Sequence, residues 1–491
     1  MNTLKGKKLF FLILIISIIG IGYPLYKGPA DGEEKSALAR TEVETEMDNL
    51  FPSPSKTLYQ MGLYLDTNHD LLYGSTLLNT ENTSPKTLGE LWFTVYPNAF
   101  KDAATSPIPE SAYYAGFDEG WFEFSEIIVN GTELSHEIEG ISARVNLETE
   151  ILAGESLEIE MKWKAKIPKA AYRYGRQNNV YMLGNFYPTL NVMGEDWHKS
   201  YNSKFGDPFC FHSANYLVRL NTPEVYDVAA TGSNIQKYAE DNGRQTHIIE
   251  ARDVRDFSLA VLHDYAQINE KLGQTEVKLY APRNKINKAK PLLGNAVEML
   301  NYYACRFGSY PYKEFKIVFV PMQGFQGMEY SGLIFMRDEF SRPNYNQRQN
   351  KFILAHEIAH QWWYGMVGND QIKEPWLDEG LANWSASKYL QEVKGQNSSS
   401  DFKLRKGTNL ALELKDFSST AKYYEVIYSG GEAFWFDLEN KLGTEEVFRI
   451  LRKYLLEYKH NIANTEDLLN LIQDETKQDM GEFFNQWFES P

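Results

Sequence analysis

Cysteine is scarce in this chain: Cys210 and Cys305 are the only two in 491 residues. Two cysteines exclude a disulfide framework, and nothing in their spacing says that they pair. Neither lies in a ligand-spaced pair, which argues against a cysteine-based zinc site. Positive charge is also short. Lys and Arg number 50 against 66 Asp and Glu, a net charge of −16. That balance argues against a nucleic-acid partner and otherwise speaks only to solubility. There is no internal repeat, and only one long apolar run. What is present is 43% apolar and 24% charged residues. A chain of this length and composition buries sizeable cores and divides into two or three domains.

The apolar run is at the N-terminus. Lys5, Lys7 and Lys8 precede "LFFLILIISIIGIG", apolar over 9–22 apart from Ser17 and continuing past Pro24 to Tyr26. Its length falls between a signal-peptide core and a full transmembrane helix. The small-residue pair Ala37 and Ala39 lies far beyond it. We therefore expect an uncleaved signal anchor over 1–26; the alternative is secretion after cleavage. Lysines on the near side and Asp31, Glu33 and Glu34 on the far side place the body outside the cytoplasm, as a single-pass protein of the cell membrane. Residues 27–56 end in "NLFPSPSK" and read as a linker.

Over 57–280 the pattern has period two. "LEIEMKW" alternates Leu157, Ile159, Met161 and Trp163 against charge, and "YLVRL" puts Tyr216, Val218 and Leu220 on one side. Turn signals such as Asn130-Gly131 separate the runs, so this region is expected to be an antiparallel β domain, a saddle or a sandwich. Over 281–491 the period changes. "KAKPLLGNAVEMLNYYACRFG" reads as a helix that Gly308 ends, and "FKIVFVP" as a short buried strand. Later helices are expected at "TEEVFRILRKYLLEY", capped by Thr444, and "TEDLLNLIQDE", capped by Thr465. The fold class is α+β multidomain: a β domain, then a mainly α domain with a small sheet.

Chemistry concentrates in "FILAHEIAHQWWYG" at 352–365. Residues four apart share a helix face, so His356 and His360 project together and reach one zinc ion. Glu357 approaches the same site without occupying a ligand position, which suits a base. With nine histidines in the chain, HExxH needs a third ligand to carry weight. Downstream lies "KEPWLDEGLANWSASKYL", a second helix starting near Pro375 and Asp378. Glu379 follows His360 after eighteen intervening residues. Two histidines and one carboxylate leave a fourth position open, the pattern of catalytic rather than structural zinc. His198 and His212 read as structural histidines rather than a second metal site. Asn383-Trp384-Ser385 matches a glycosylation sequon by pattern only.

HEIAH, eighteen residues and then Glu within "WLDEGLA" resemble the aminopeptidase N and leukotriene-A hydrolase family of gluzincin metallopeptidases. "QGMEYSGL" at 326–333 is similar to the family's Gly-x-Met-Glu-Asn exopeptidase motif, with Tyr330 in place of Asn. "YSGG" at 428–431 resembles the segment that carries a catalytic tyrosine before Lys-Gly. "RFGSYPY" and the closing "FFNQWFESP" resemble the edges of the catalytic domain.

The likeness implies an N-terminal antiparallel β-saddle, a thermolysin-like catalytic domain, and a short member without the helical C-terminal domain. It implies one Zn2+ per chain on His356, His360 and Glu379, Glu357 as general base, and Tyr428 as donor to the oxyanion. Glu329 would bind the substrate's free α-amine, while Gly327 and Met328 would line its backbone and first side chain. Within "LGNFYPTL", Asn185 and Tyr187 stand where the family carries a Gln and a Glu at the amine. The expected function is a zinc aminopeptidase acting on peptides outside the cytoplasm. The alternatives are an endopeptidase on the same site, or a binding protein that keeps the fold. The sequence says nothing of side-chain preference or oligomeric state.

Overall fold

The computed structural model describes residues 56–178, 180–194, 196–339, 347–396 and 408–488. The expected membrane segment and, apart from Lys56, the linker lie outside these residues. Among the described residues no helix is long and apolar enough to cross a membrane.

The first half is built on an eight-stranded sheet. Leu58–Asp66 and Leu71–Glu81 form a hairpin, joined edgewise by Ser156–Lys166 and then Trp121–Val129. Period-two alternation drives this: Leu157, Ile159, Met161 and Trp163 all face the core, and so do Tyr59, Met61, Leu63 and Leu65. Trp163 lies opposite Gly74, where any β-carbon would overlap the indole. Asn130 and Gly131 both have positive φ, 49° and 80°, and close a two-residue turn from Trp121–Val129 to Thr132–Glu133. Two four-stranded sheets complete this half, and one apolar cluster fills the space between the layers.

The large sheet departs from the antiparallel expectation in one pairing. Leu58–Asp66 runs parallel to Ala214–Pro223. The two strands are far apart in sequence, so no tight turn dictates their relative direction.

The second half begins earlier than the expected break at 280. The hairpin Tyr265–Leu272 and Thr275–Pro282 pairs in parallel with Glu314–Val320, which continues to Leu333–Arg337 and the edge strand Gly327–Met328. Period two is the same on both sides of the break, so it could not mark which sheet the hairpin joins. On this sheet pack α1 (Ile286–Arg306) and α2 (Gln347–Ala359), and beyond them follow α3 (Trp376–Lys394), α4 (Thr420–Tyr423), α5 (Gly431–Leu442), α6 (Thr444–Tyr458), α7 (Thr465–Thr476) and α8 (Gly481–Phe488). Two caps differ from expectation. Asn464, not Thr465, caps α7, in a reciprocal box with Asp467. Gly443 precedes α6, while the Thr444 hydroxyl donates to Glu439 at 2.6 Å.

The halves are joined by a shared apolar cluster, in which Val180, Met182 and Leu262 meet Val318, Leu333 and Phe335. They are also joined by Arg255, fully buried, whose guanidinium donates to the carbonyls of Phe211, Tyr364 and Asn461. Its neighbour Asp256 accepts from the Ser331 amide and the Tyr364 hydroxyl. Buried charge held this way is costly to leave unpaired, so the contacts fix the docking of the halves.

Candidate metal centre

Helix α2 ends at Ala359, and His360 continues its last turn through a 3.2 Å bond from its amide to the His356 carbonyl. The chain then reverses. Tyr364 adopts φ 116°, rare for a residue with a β-carbon, and its hydroxyl bond to Asp256 helps hold it there. His360 Nδ1 donates to the Trp363 carbonyl at 2.9 Å, which leaves Nε2 as the free donor atom toward the site.

Glu379 lies in the first turn of α3, where the helix dipole favours a carboxylate. Its neighbour Asp378 accepts from Asn369 Nδ2 at 3.1 Å and Gln371 Nε2 at 2.8 Å. Burial, then the charge of Glu379, pushes Asp378 up to about 7. His356 Nε2 and His360 Nε2 are 3.0 Å apart, and each faces Glu379 Oε2, at 3.1 and 3.4 Å. Atoms about 2.0–2.1 Å from a zinc ion at tetrahedral angles stand roughly 3.3 Å from one another. Glu379 Oε2 is buried without a hydrogen-bond partner. The three residues expected from the sequence therefore converge, and their donor set and spacing fit zinc.

The electrostatics agree. Burial by itself would raise Glu379, but the facing imidazoles outweigh it and hold the carboxylate well below its usual range. Burial, with His360 beside it, lowers His356. Burial pushes Glu357 up to about 8; Glu379 and Asp207 add to this and His360 opposes it. A cation at the triad would bring Glu357 back down, toward the range useful to a base at neutral pH.

Two glycines explain how the remaining pieces approach. Gly380 of α3 and Gly431 of α5 meet backbone to backbone; a β-carbon on Gly380 would lie 2.7 Å from the Gly431 Cα. That close crossing brings the π-helical segment Tyr424–Gly430 against α3. The half-buried Tyr428 reaches Glu379 Oε1 with its hydroxyl at 2.5 Å, and its ring stacks 5.9 Å from His356. π-Helical turns are rare and concentrate at functional sites. Gly327 lies against α2, and a β-carbon there would overlap the Glu357 carboxylate.

The other positions singled out at the substrate, Met328, Glu329, Tyr187 and Asn185, are all buried. Met328 packs into the apolar cluster that joins the halves rather than lining an open pocket. Glu329 is buried, and burial followed by the charge of Asp207 holds it well above the usual carboxylate range. Tyr187 is in the β core, its hydroxyl 2.8 Å from that of Tyr216, so it does not take the place of an amine-binding carboxylate. Asn185 is buried at φ 53°.

Several site residues escaped the sequence reading. Gln361 clamps the exopeptidase-like loop, accepting from the Gly332 amide at 2.7 Å and donating to the Tyr330 carbonyl at 3.1 Å. Arg173 and Asp207 form a buried ion pair that the first half contributes to the field at Glu329 and Glu357. Gln361 follows the motif directly and could have been suspected. Nothing in the sequence marks Arg173 or Asp207.

Residues 292–487 match the family model described as Peptidase family M1 domain. The second half of the chain is thus similar to peptidase family M1. The chain is 26% identical over 246 residues to Aminopeptidase M1-B of Oryza sativa subsp. japonica, covering 46% of this chain and 28% of that protein. Over 225 residues it is 27% identical to Tricorn protease-interacting factor F2 of Thermoplasma acidophilum, covering 42% of this chain and 29% of that one. The chain thus spans less than a third of the curated relatives it matches. A solved M1 zinc metallopeptidase from Deinococcus radiodurans shares the fold, with TM-score 0.63 at 16% identity, covering 89% of this chain and 93% of that one.

Proposed function

We propose that this chain is a zinc-dependent aminopeptidase of peptidase family M1. The observation that carries the reading is the 3.0–3.4 Å triangle of His356, His360 and Glu379 with Glu357 on the same helix. One zinc per chain at this centre, when bound, supplies Lewis-acid polarisation of the scissile carbonyl and acidifies a water. Glu357 accepts the proton of the attacking water and passes it to the leaving amine. Tyr428 turns its hydroxyl from Glu379 to the developing oxyanion, an interaction made mainly in the transition state. Glu329 takes the substrate's α-ammonium, a charge-assisted contact worth about 1.5–3 kcal/mol. Gly327 keeps the wall beside Glu357 thin enough for peptide backbone to pass.

The same proposal places the catalytic body outside the cytoplasm, tethered by 1–26. The lysines before the apolar run and the acidic residues after it support this orientation. Protease shaving of intact cells should release active fragment; activity confined to the cytosol would reject the tether.

The activity is tested with a matched pair, an aminoacyl arylamide and its N-acetyl form. Glu329 predicts roughly 10–150-fold higher kcat/KM for the free amine. Equal cleavage of both would replace the aminopeptidase reading by an endopeptidase one. No cleavage of either by zinc-loaded protein would leave a binding role.

A further inference from the structure

We propose that His198, Cys210 and Asp370 form a second metal site, separate from the first, that takes a thiophilic divalent cation of the zinc type. A ring nitrogen, the sulfur and a carboxylate oxygen of the three lie within 4.8 Å of one another. They come from three places in the chain, and each is held by contacts that do not use the ligand atom. The Gln371 amide donates to the Phe209 carbonyl at 3.2 Å, which sets Cys210 beside Asp370. Asp370 Oδ1 accepts from the Ile372 and Lys373 amides, leaving Oδ2 to face His198 Nδ1 at 2.5 Å. The His198 amide is fixed on the Val192 carbonyl at 2.9 Å.

The chemistry of the set is that of a soft-to-borderline cation. Nitrogen, sulfur and carboxylate donors suit zinc and disfavour magnesium or calcium. Cys210 is buried and makes no disulfide. The His198 side chain keeps about a fifth of its surface exposed, which gives an ion a way in. On binding, the Cys210 thiol proton leaves to solvent as the sulfur–metal bond forms, and His198 exchanges its contact with Asp370 for the ion. No redox change is involved. Three protein donors leave a fourth position for water.

The position gives the site a consequence. His198 and Cys210 belong to the first half, and Asp370 to the connection between His360 and Glu379. Asn369 and Gln371, on either side of Asp370, hold Asp378, which adjoins the ligand Glu379. An ion here pins the first half to the segment that sets the third catalytic ligand.

The experiment uses the full chain with Cys305→Ser, which removes the exposed thiol. After zinc loading and dialysis against a weak chelator, metal analysis should give two ions per chain in this parent. It should give one with Cys210→Ala added. Cobalt loading should produce a thiolate-to-cobalt charge-transfer band in the parent, because the catalytic set contains no sulfur, and the band should vanish with Cys210→Ala. One ion per chain and no thiolate band in the parent overturn the site, as does a band that survives Cys210→Ala. Should the alanine variant misfold, the parent spectrum and a His198→Gln variant decide in the same way. The readout is metal, not turnover, so failure of the peptidase reading would leave the result intact.

Discussion

Helices α3 and α6 belong to the same half and could hardly differ more in surroundings. Helix α6 is amphipathic: Val447, Phe448, Ile450, Leu451 and Tyr454 are buried, while the rest of its surface carries exposed charge and even Leu456 at 76% exposure. Helix α3 is buried nearly all round, and its buried residues include Asp378, Glu379, Asn383, Ser385, Ser387 and Lys388. Most of those polar groups are satisfied side chain by side chain, and Glu379 Oε2 is the exception. Lys388 and Trp384 reach Glu439, Ser387 donates to Glu432, and Trp363 donates to Ser385. Burying such groups costs free energy unless each is bonded, so part of what α3 gains from its buried apolar residues is offset by the polar groups that accompany Glu379. The lesson is that the helix that carries the chemistry is the one whose local pattern argues least for stability.

The strongest way to break that contrast is at the chemistry itself. Glu357→Gln on α2 should lower kcat/KM for an aminoacyl arylamide by about 10²–10⁴-fold with zinc content unchanged. Activity within a few-fold of the parent would remove Glu357 from the role of base. Next is the crossing of α3 and α5. Gly380→Val places branched carbon against the Gly431 backbone and should cost ~3 kcal/mol or more in urea unfolding. A loss below ~1 kcal/mol would mean that the crossing yields.

A pH-resolved test of similar size sharpens the cost of buried polarity. Burial pushes Glu432 up to about 8; the Ser387 hydroxyl opposes this only in part. Its folded value lies above its unfolded one, near 4.5. The wild-type contribution is therefore complete below pH 4.5 and is lost as pH rises toward 8. Glu432→Gln does not titrate, so its stability should gain on wild type through that window, by about 1.4 kcal/mol for each pH unit, and level off above it. A difference that stays flat from pH 5 to 8 would contradict the burial argument. The smallest effect is expected on α6, where Leu456→Ser should change stability by less than about 0.5 kcal/mol in the same assay.

Some features were legible because their cause is local. Helical period puts His356 and His360 on one face whatever surrounds them, and strand alternation puts Leu157, Ile159, Met161 and Trp163 on one side. Others were misread where two local readings compete. Thr465 and Asn464 are both good caps, and only the geometry of the turn chooses Asn464 with Asp467. Tyr187 stands in the sequence where the resemblance places an amine-binding carboxylate, yet its ring packs edge-on against Tyr59, Phe186 and Tyr216 in the β core.

The chain alone determined the α+β division and marked His356, His360 and Glu379, with Glu357 beside them, as one candidate metal centre. These follow from periodicities and spacings that act over a few residues or within one motif. Only the tertiary structure decided the parallel pairing of Leu58–Asp66 with Ala214–Pro223, the membership of the 265–282 hairpin, and the buried Arg173–Asp207 pair. It also brought His198, Cys210 and Asp370 together. The physical reason is range. Backbone sterics and side-chain periodicity are written into neighbouring residues, whereas the meeting of distant side chains depends on how whole sheets and helices pack.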